Sequence, residues 1–382
     1  MTTNRRDFVK TSLAVGLSAA FSNLSNNSFA QESSSDVPKN AKPLVIYQAD
    51  LFHPHGDPDD HFDLATLYSL AIQGLLDIDG LVLDYPPEFR AGDPAVAAVA
   101  QMNRLSGLRT PFVVGSKVQP SKRGDVVSDL SSLDSSAVEY LIEALERAER
   151  PIDIAIVGSS TDVAIAFSRR PELFKTKCAG VYLDAGGANV NPKNPAQLEF
   201  NARLNPSAYA TLFDLPCPLY WFPCWDVVEQ RVVGPNGTFY WLDHAKAFDG
   251  ISPSLAAFFT FMFDRSTNPR WIKALEEPVK PERWAQILKD RRGMWSTASI
   301  LYCAKKTILR DGSIVDHTPE VDASSDALYR MENVRVTCDD EGRTTWEYCE
   351  EETNRKLFHI LDVEAYTEAM SRAVNSLFRV FT

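Results

Sequence analysis

The sequence predicts an α/β protein built on an open, mainly parallel sheet with helices on both faces. Three observations carry that prediction. Short runs of Val, Ile, Leu and aromatic residues recur without interleaved polar residues, as expected of strands buried on both sides. Segments with apolar residues at helical spacing lie between these runs. No stretch rich in Gly, Pro or Ser divides residues 42–382, so the alternation belongs to one domain.

The elements follow in order. PLVIYQA (43–49) reads as the first strand, and Leu64, Leu67, Tyr68, Ala71 and Ile72 then share one helical face, with Gly74 as the stop. GLVL (80–83), a helix-like AVAAVAQMNRLSG and TPFVVG (110–115) come next. SSAVEYLIEALERA (135–148) is an amphipathic helix with Ser135 or Ser136 as its cap. IDIAIVG (152–158), DVAIAFSRR, AGVYLDAGG (179–187), PSAYATLFD and CPLYWFPC (217–224) continue the pattern. Residues from about 228 to 330 are less regular. The end reads as strand, hairpin, strand and helix: NVRVTC, RTTWEYC, RKLFHILD and EAYTEAMSRAVNSLF.

The 382-residue chain carries a net charge of −12, which excludes a general affinity for nucleic acid or anionic lipid and suits a neutral or cationic ligand or a metal ion. Residues 1–30 read as a twin-arginine-type export signal: Arg5 and Arg6 precede the apolar run LAVGLSAAF, and Ser28 and Ala30 are small residues before a cleavage point at Gln31. The apolar run is too short for a membrane anchor. Residues 31–41 form a polar linker, and the expected location is periplasmic or secreted. The six cysteines include no CxxC pair, which argues against a zinc site. Buried free thiols are the expected state of the cysteines; if any pair bridges, Cys338 and Cys349, which flank the hairpin, are the best candidates.

Polar residues gather just after the predicted strands, where open α/β sheets bind ligands. Asp50, Asp57, Asp59 and Asp60 follow the first; Asp84 the second; Ser159, Ser160, Thr161 and Asp162 the fourth; Asp184, Gly186, Gly187 and Asn189 the fifth. The four aspartates have three readings: helix caps, a site for a hard divalent ion, or such a site with one carboxylate left to accept a proton from water. Four are more than a cap requires, and like charges this close raise one another's pKa unless a cation compensates. Glu199 and Asn201, two apart in QLEFNARLNP, suit sugar hydroxyls.

Taken together these pieces resemble the nucleoside hydrolases, the inosine-uridine-preferring family and its exported bacterial branch. DPDD after an apolar strand is similar to that family's aspartate fingerprint. TPFVVGSKVQP, AIVGSSTDVAIAF, VYLDAGGANV, LEFNARLNPSAY and LDVEAYTEAMSRAV follow in the family's order from about Lys42 to Leu377. The resemblance implies a Rossmann-like open sheet, cleavage of N-ribosides, a Ca²⁺ ion at the pocket floor and a small-molecule glycoside as partner, with a homo-oligomer common in the family. Carried over by position, it makes Asp59 the general base, Asp60 a metal ligand and Thr161 a carbonyl ligand. Asp50 or Asp57 supplies the remaining early ligand, since LFHPHG is an insertion there. Glu199 and Asn201 bind ribose, with Asp84 and one of Asn189, Asn191 and Asn194 beside them. The family's late His-Asp pair is replaced by Met294 and Trp295, so a metal ligand and a leaving-group acid are missing. Trp295 is placed to stack on a base or sugar ring. His53, His55 and His61 lie near the cluster as substitutes for the acid or as second-layer residues. A catalytically silent binding homologue and a hydrolase of other glycosides are the alternatives.

Overall fold

The computed structural model describes residues 41–55, 57–90, 92–189, 192–226 and 231–382. The export signal and nearly all of the linker lie outside the described residues. Among them, no helix is long and apolar enough to cross a membrane.

The predicted strands form one nine-stranded sheet among the described residues. In chain order they are β1 Leu44–Ala49, β2 Asp77–Leu83, β3 Phe112–Val114, β4 Ile152–Ile156, β5 Cys178–Asp184, β6 Leu219–Phe222, β7 Tyr329–Cys338, β8 Thr344–Tyr348 and β9 Arg355–Ile360. Across the sheet the order is β8-β7-β9-β6-β5-β4-β1-β2-β3. Pairings from β9 to β3 are parallel, and β7 and β8 add antiparallel strands at one edge. The chain runs outward from β1 through β2 to β3, then returns to β4 on the other side of β1. That reversal is the topological switch point where such sheets form a crevice.

Both faces of the sheet are covered. Val45, Tyr47 and Ala49 face one apolar core with Leu81, Leu83, Ala155 and Phe222; Ile46 faces the other with Val82, Ile154, Ile156 and Trp221. The period-2 alternation of a strand is therefore present, but both sides are apolar, which is why the sequence shows continuous runs. Helix α1 (Pro58–Ile72) packs on the first face, and helices α2 (Ser136–Arg147) and α3 (Thr161–Arg169) on the second. Beyond α1, Gly74 adopts φ +70°, the left-handed conformation that ends a helix without a Cβ penalty.

Two alternatives left open by the sequence are decided. The β7–β8 hairpin exists, but its cysteines are not bridged. Cys338 pairs with Thr344, while the Cys349 N–H bonds to the Asn333 carbonyl. The two cysteines therefore sit about five residues apart along the ladder, roughly 16 Å, far beyond disulfide reach. The aspartates do not cap α1 either: Asp57 stands at the N-cap position but accepts no cap hydrogen bond.

Candidate active site

The cavity lies at the carboxyl ends of β1, β4, β5 and β6, with a volume of about 210 Å³. β1 delivers Asp50, and the start of α1 delivers Asp57, Asp59 and Asp60. Pro58 and the helical turn after it place Asp59 and Asp60 next to each other with both carboxyls largely buried. Val157 follows β4; Cys224 and Trp225 follow β6.

A loop after β5 adds Glu199 and Asn201. The Glu199 carboxylate accepts the backbone N–H groups of Gly186 (2.7 Å), Asn201 (3.0 Å) and Ala202 (3.2 Å), capping the short helix Phe200–Leu204. Asn201 Nδ2 donates to the carbonyls of Asp184 (2.9 Å) and Val157 (3.2 Å), tying this loop to the ends of β5 and β4. The spacing of these two residues is thus a cap plus a tether, and both side chains still line the cavity.

The acidic floor is electrostatically strained. Burial pushes the Asp50 carboxyl up to about 6, against the pull of Arg90. Burial and the adjacent Asp50 charge push Asp60 well above the usual carboxylate range, and the two groups share a hydrogen bond. Burial, then Asp60, Asp63 and Asp50, push Asp59 upward as well. Opposing that push, the Arg292 guanidinium places Nη2 at 2.6 Å and Nε at 2.9 Å from Asp59 Oδ1. The same guanidinium pairs with Asp57, which also lies 3.8 Å from Arg90.

The late part of the chain forms the opposite wall. A two-stranded ladder of Tyr240–Asp243 and Arg291–Met294 sets Arg292 opposite Leu242. Met294 is fully buried, so it does not reach the cavity; Trp295 and Ser296 do. The Trp295 ring lies 5.4 Å from Phe239, and its buried Nε1–H has no partner among the described residues.

Several expected site residues are elsewhere. Asp84 and Thr161 line a separate small recess with Ser159 and Asp162. Asp84 accepts from Gln48 Nε2 (2.8 Å) and the Ser159 N–H (2.5 Å). The Thr161 hydroxyl accepts from Ser159 Oγ at 2.8 Å. Asn189 is exposed and donates to Asp226 Oδ1 at 2.6 Å. Asn194 is also exposed, and Asn191 lies outside the described residues. None of the three histidines is in the cavity lining. They stack edge-on, His53–His55 at 4.9 Å and His55–His61 at 4.3 Å, against Phe258 and Phe261. Burial pushes His55 down to about 4 and lowers His61 too, so both are neutral.

Arg292, Asp63, Cys224, Trp225 and Phe200 escaped the sequence reading. Asp63 was legible, being one turn after Asp60 on the same helical face. It meets the Thr297 hydroxyl at 3.4 Å. Arg292 carried no local signal, because only tertiary packing brings residues 233 apart together.

The donors on the floor are carboxylate oxygens, the chemistry a hard divalent ion takes. Their arrangement does not fit one. Among the described residues, no three His, Cys, Asp or Glu side chains are grouped so as to hold a metal ion. Arg292 occupies oxygens of Asp57 and Asp59, which leaves Asp50 and Asp60, themselves sharing a hydrogen bond, as the carboxylates free of it.

Residues 88–366 match the family model described as inosine-uridine preferring nucleoside hydrolase; the match begins after the aspartate cluster. The pyrimidine-specific ribonucleoside hydrolase RihA of Citrobacter koseri is 26% identical over 144 residues, 33% of this chain and 46% of that protein. The chain thus spans about half the length of the curated relative it matches. Among solved structures, the inosine-uridine preferring nucleoside hydrolase of Bacillus anthracis covers 88% of this chain and 99% of its own at 13% identity and TM-score 0.45. The purine-preferring ribonucleoside hydrolase of Gardnerella vaginalis covers 88% and 99% at 13% identity and TM-score 0.48. Of these findings, the family match alone spans more than half of the chain at the level of sequence.

Proposed function

The chain belongs to the inosine-uridine preferring nucleoside hydrolase family, and from that premise we propose that its cavity hydrolyses the N-glycosidic bond of a nucleoside. The observation that carries this reading is the convergence of Asp59, Asp60, Glu199 and Asn201 on one cavity at the switch point of the sheet. In the proposed reaction, water attacks the anomeric carbon and Asp59 takes its proton. The C–N bond electrons leave with the base, which takes up a proton from solvent, and Asp59 returns the proton it accepted to solvent. The flanking carboxylates stabilise positive charge developing on the sugar ring. Trp225, Trp295 and Phe200 supply aromatic walls for a ring.

Calcium is the ion the resemblance implies and the one these oxygens suit. It has no step in this reading, because the carboxylates are not disposed to hold it. Export by the twin-arginine route, read from residues 1–30, would place the activity in the periplasm or outside the cell.

One observation favours a second reading, a catalytically silent ligand-binding homologue: Arg292 sits on the proposed base. Ribose release from a panel of purine and pyrimidine nucleosides separates the two. Turnover by the wild-type protein that falls about 10²- to 10⁴-fold in Asp59→Asn supports the hydrolase. Nucleoside binding without ribose release supports the silent homologue.

A further inference from the structure

We propose that Arg292 is the resident counter-cation of the acidic cluster, standing where a divalent ion would otherwise be needed, so that the native cavity takes up no calcium. The inference deepens the reading of the cavity given above and rests on it.

Geometry comes first. Two Arg292 N–H groups converge on Asp59 Oδ1 at 2.6 and 2.9 Å, and the guanidinium also pairs with Asp57. Arginine is well suited to neutralising such a cluster, because its charge is permanent and its planar array of donors matches carboxylate oxygens. The side chains of Arg292 and Asp59 are only 24% and 13% exposed, so solvent screens the pair weakly.

The arginine is also built in. Its strand is fixed in the ladder with Tyr240–Asp243, and Met294 beyond it is fully buried. The next residue, Gly293, is held so closely that a Cβ there would come 2.8 Å from the Phe239 ring and 3.1 Å from the Trp295 ring. On the same strand, the Arg291 guanidinium lies 4.2 Å from the centre of the Trp241 ring. The strand has little room to withdraw Arg292 from the cavity.

Arg292 lies two residues before Met294, which with Trp295 stands where the resemblance expects a His-Asp pair. The wall that should add an anionic metal ligand adds a cation instead. A guanidinium on Asp57 and Asp59 repels a divalent ion placed beside Asp50 and Asp60 in the same cavity, so each occupant disfavours the other.

Calcium titration by calorimetry on the purified wild-type protein and on Arg292→Met tests this. Thermal melts with 1 mM CaCl₂ or EDTA give a second readout. The expected result is no calcium binding and no shift in melting temperature for wild type, with Arg292→Met gaining calcium affinity by at least tenfold. Arg292→Lys, which keeps the charge, should resemble wild type and guards against misfolding of the methionine variant. Calcium binding by wild type that Asp60→Asn abolishes overturns the proposal. So does an Arg292→Met protein that is folded yet still binds none. Ribose release assayed in EDTA stands apart from these outcomes: its absence counts against the hydrolase reading, whatever calcium does.

Discussion

Two groups of buried acids lie side by side at the ends of the parallel strands, and they are kept in opposite ways. Asp84 and Asp162 are held by donors of the fold itself: Gln48 Nε2 reaches both, and the Ser159 and Ser116 N–H groups complete them. Glycines accommodate this packing, since a Cβ on Gly158 would collide with Asp84 Oδ2 and one on Gly115 would sit 2.6 Å from Asp162 Oδ2. Asp50, Asp57, Asp59 and Asp60 instead face a cavity and meet mainly one another, Arg90 and Arg292. Buried carboxylates satisfied by backbone and amide donors lock strands together. Carboxylates left to repel each other around a cavity are tolerated at a cost in stability, which is the mark of a working site.

Substitutions in each group sharpen that contrast. The largest expected effect on stability at a fixed pH is at Asp84. Replacement by alanine strands a buried N–H and an amide and should cost about 3 kcal/mol in urea unfolding. A loss well under 1 kcal/mol would mean that Asp84 is no structural lock.

The next effect is a pH dependence at Asp184, which accepts from Cys224 Sγ at 3.0 Å and Ser299 Oγ at 3.3 Å. Burial pushes its carboxyl up to about 8. The unfolded chain releases this proton near pH 4, whereas the folded chain holds it to about pH 8. Its stabilising contribution is therefore full below about pH 4, declines with rising pH, and is gone above about pH 8. The slope reaches at most about 1.4 kcal/mol per pH unit. Urea unfolding between pH 5 and 8.5 should show a shallower decline for Asp184→Asn than for wild type; equal slopes would remove Asp184 from the account.

The smallest effect has the opposite sign. Asp60→Asn relieves the strain of a second buried acid beside Asp50 and should stabilise the protein by about 1 kcal/mol while lowering turnover. Destabilisation instead would place Asp60 with the structural group, and the contrast between the two clusters would fail.

How much of this was legible in the sequence varies with the range of the interaction. The strand runs, the helix at 136–147 and the final hairpin were readable because apolar periodicity is local and each strand is buried on both faces. The aspartate cluster was readable as a functional feature because four like charges within eleven residues exceed what a helix cap uses. The free thiols agree with the sequence reading, and the alternative Cys338–Cys349 bridge is ruled out by a register that proximity in sequence does not reveal.

By itself, the sequence determined the α/β class, the placement of the polar residues after strand ends and the family. Tertiary structure decided which acids share the cavity. Asp84 and Thr161 follow their strands just as Asp50 does, yet they turn into a separate recess, because which way a residue just past a strand end points depends on the neighbouring strand and loop. The fold alone brings Arg292 to Asp59, through a ladder whose partners lie far apart in the chain. A charge pair made by packing leaves no trace in local periodicity.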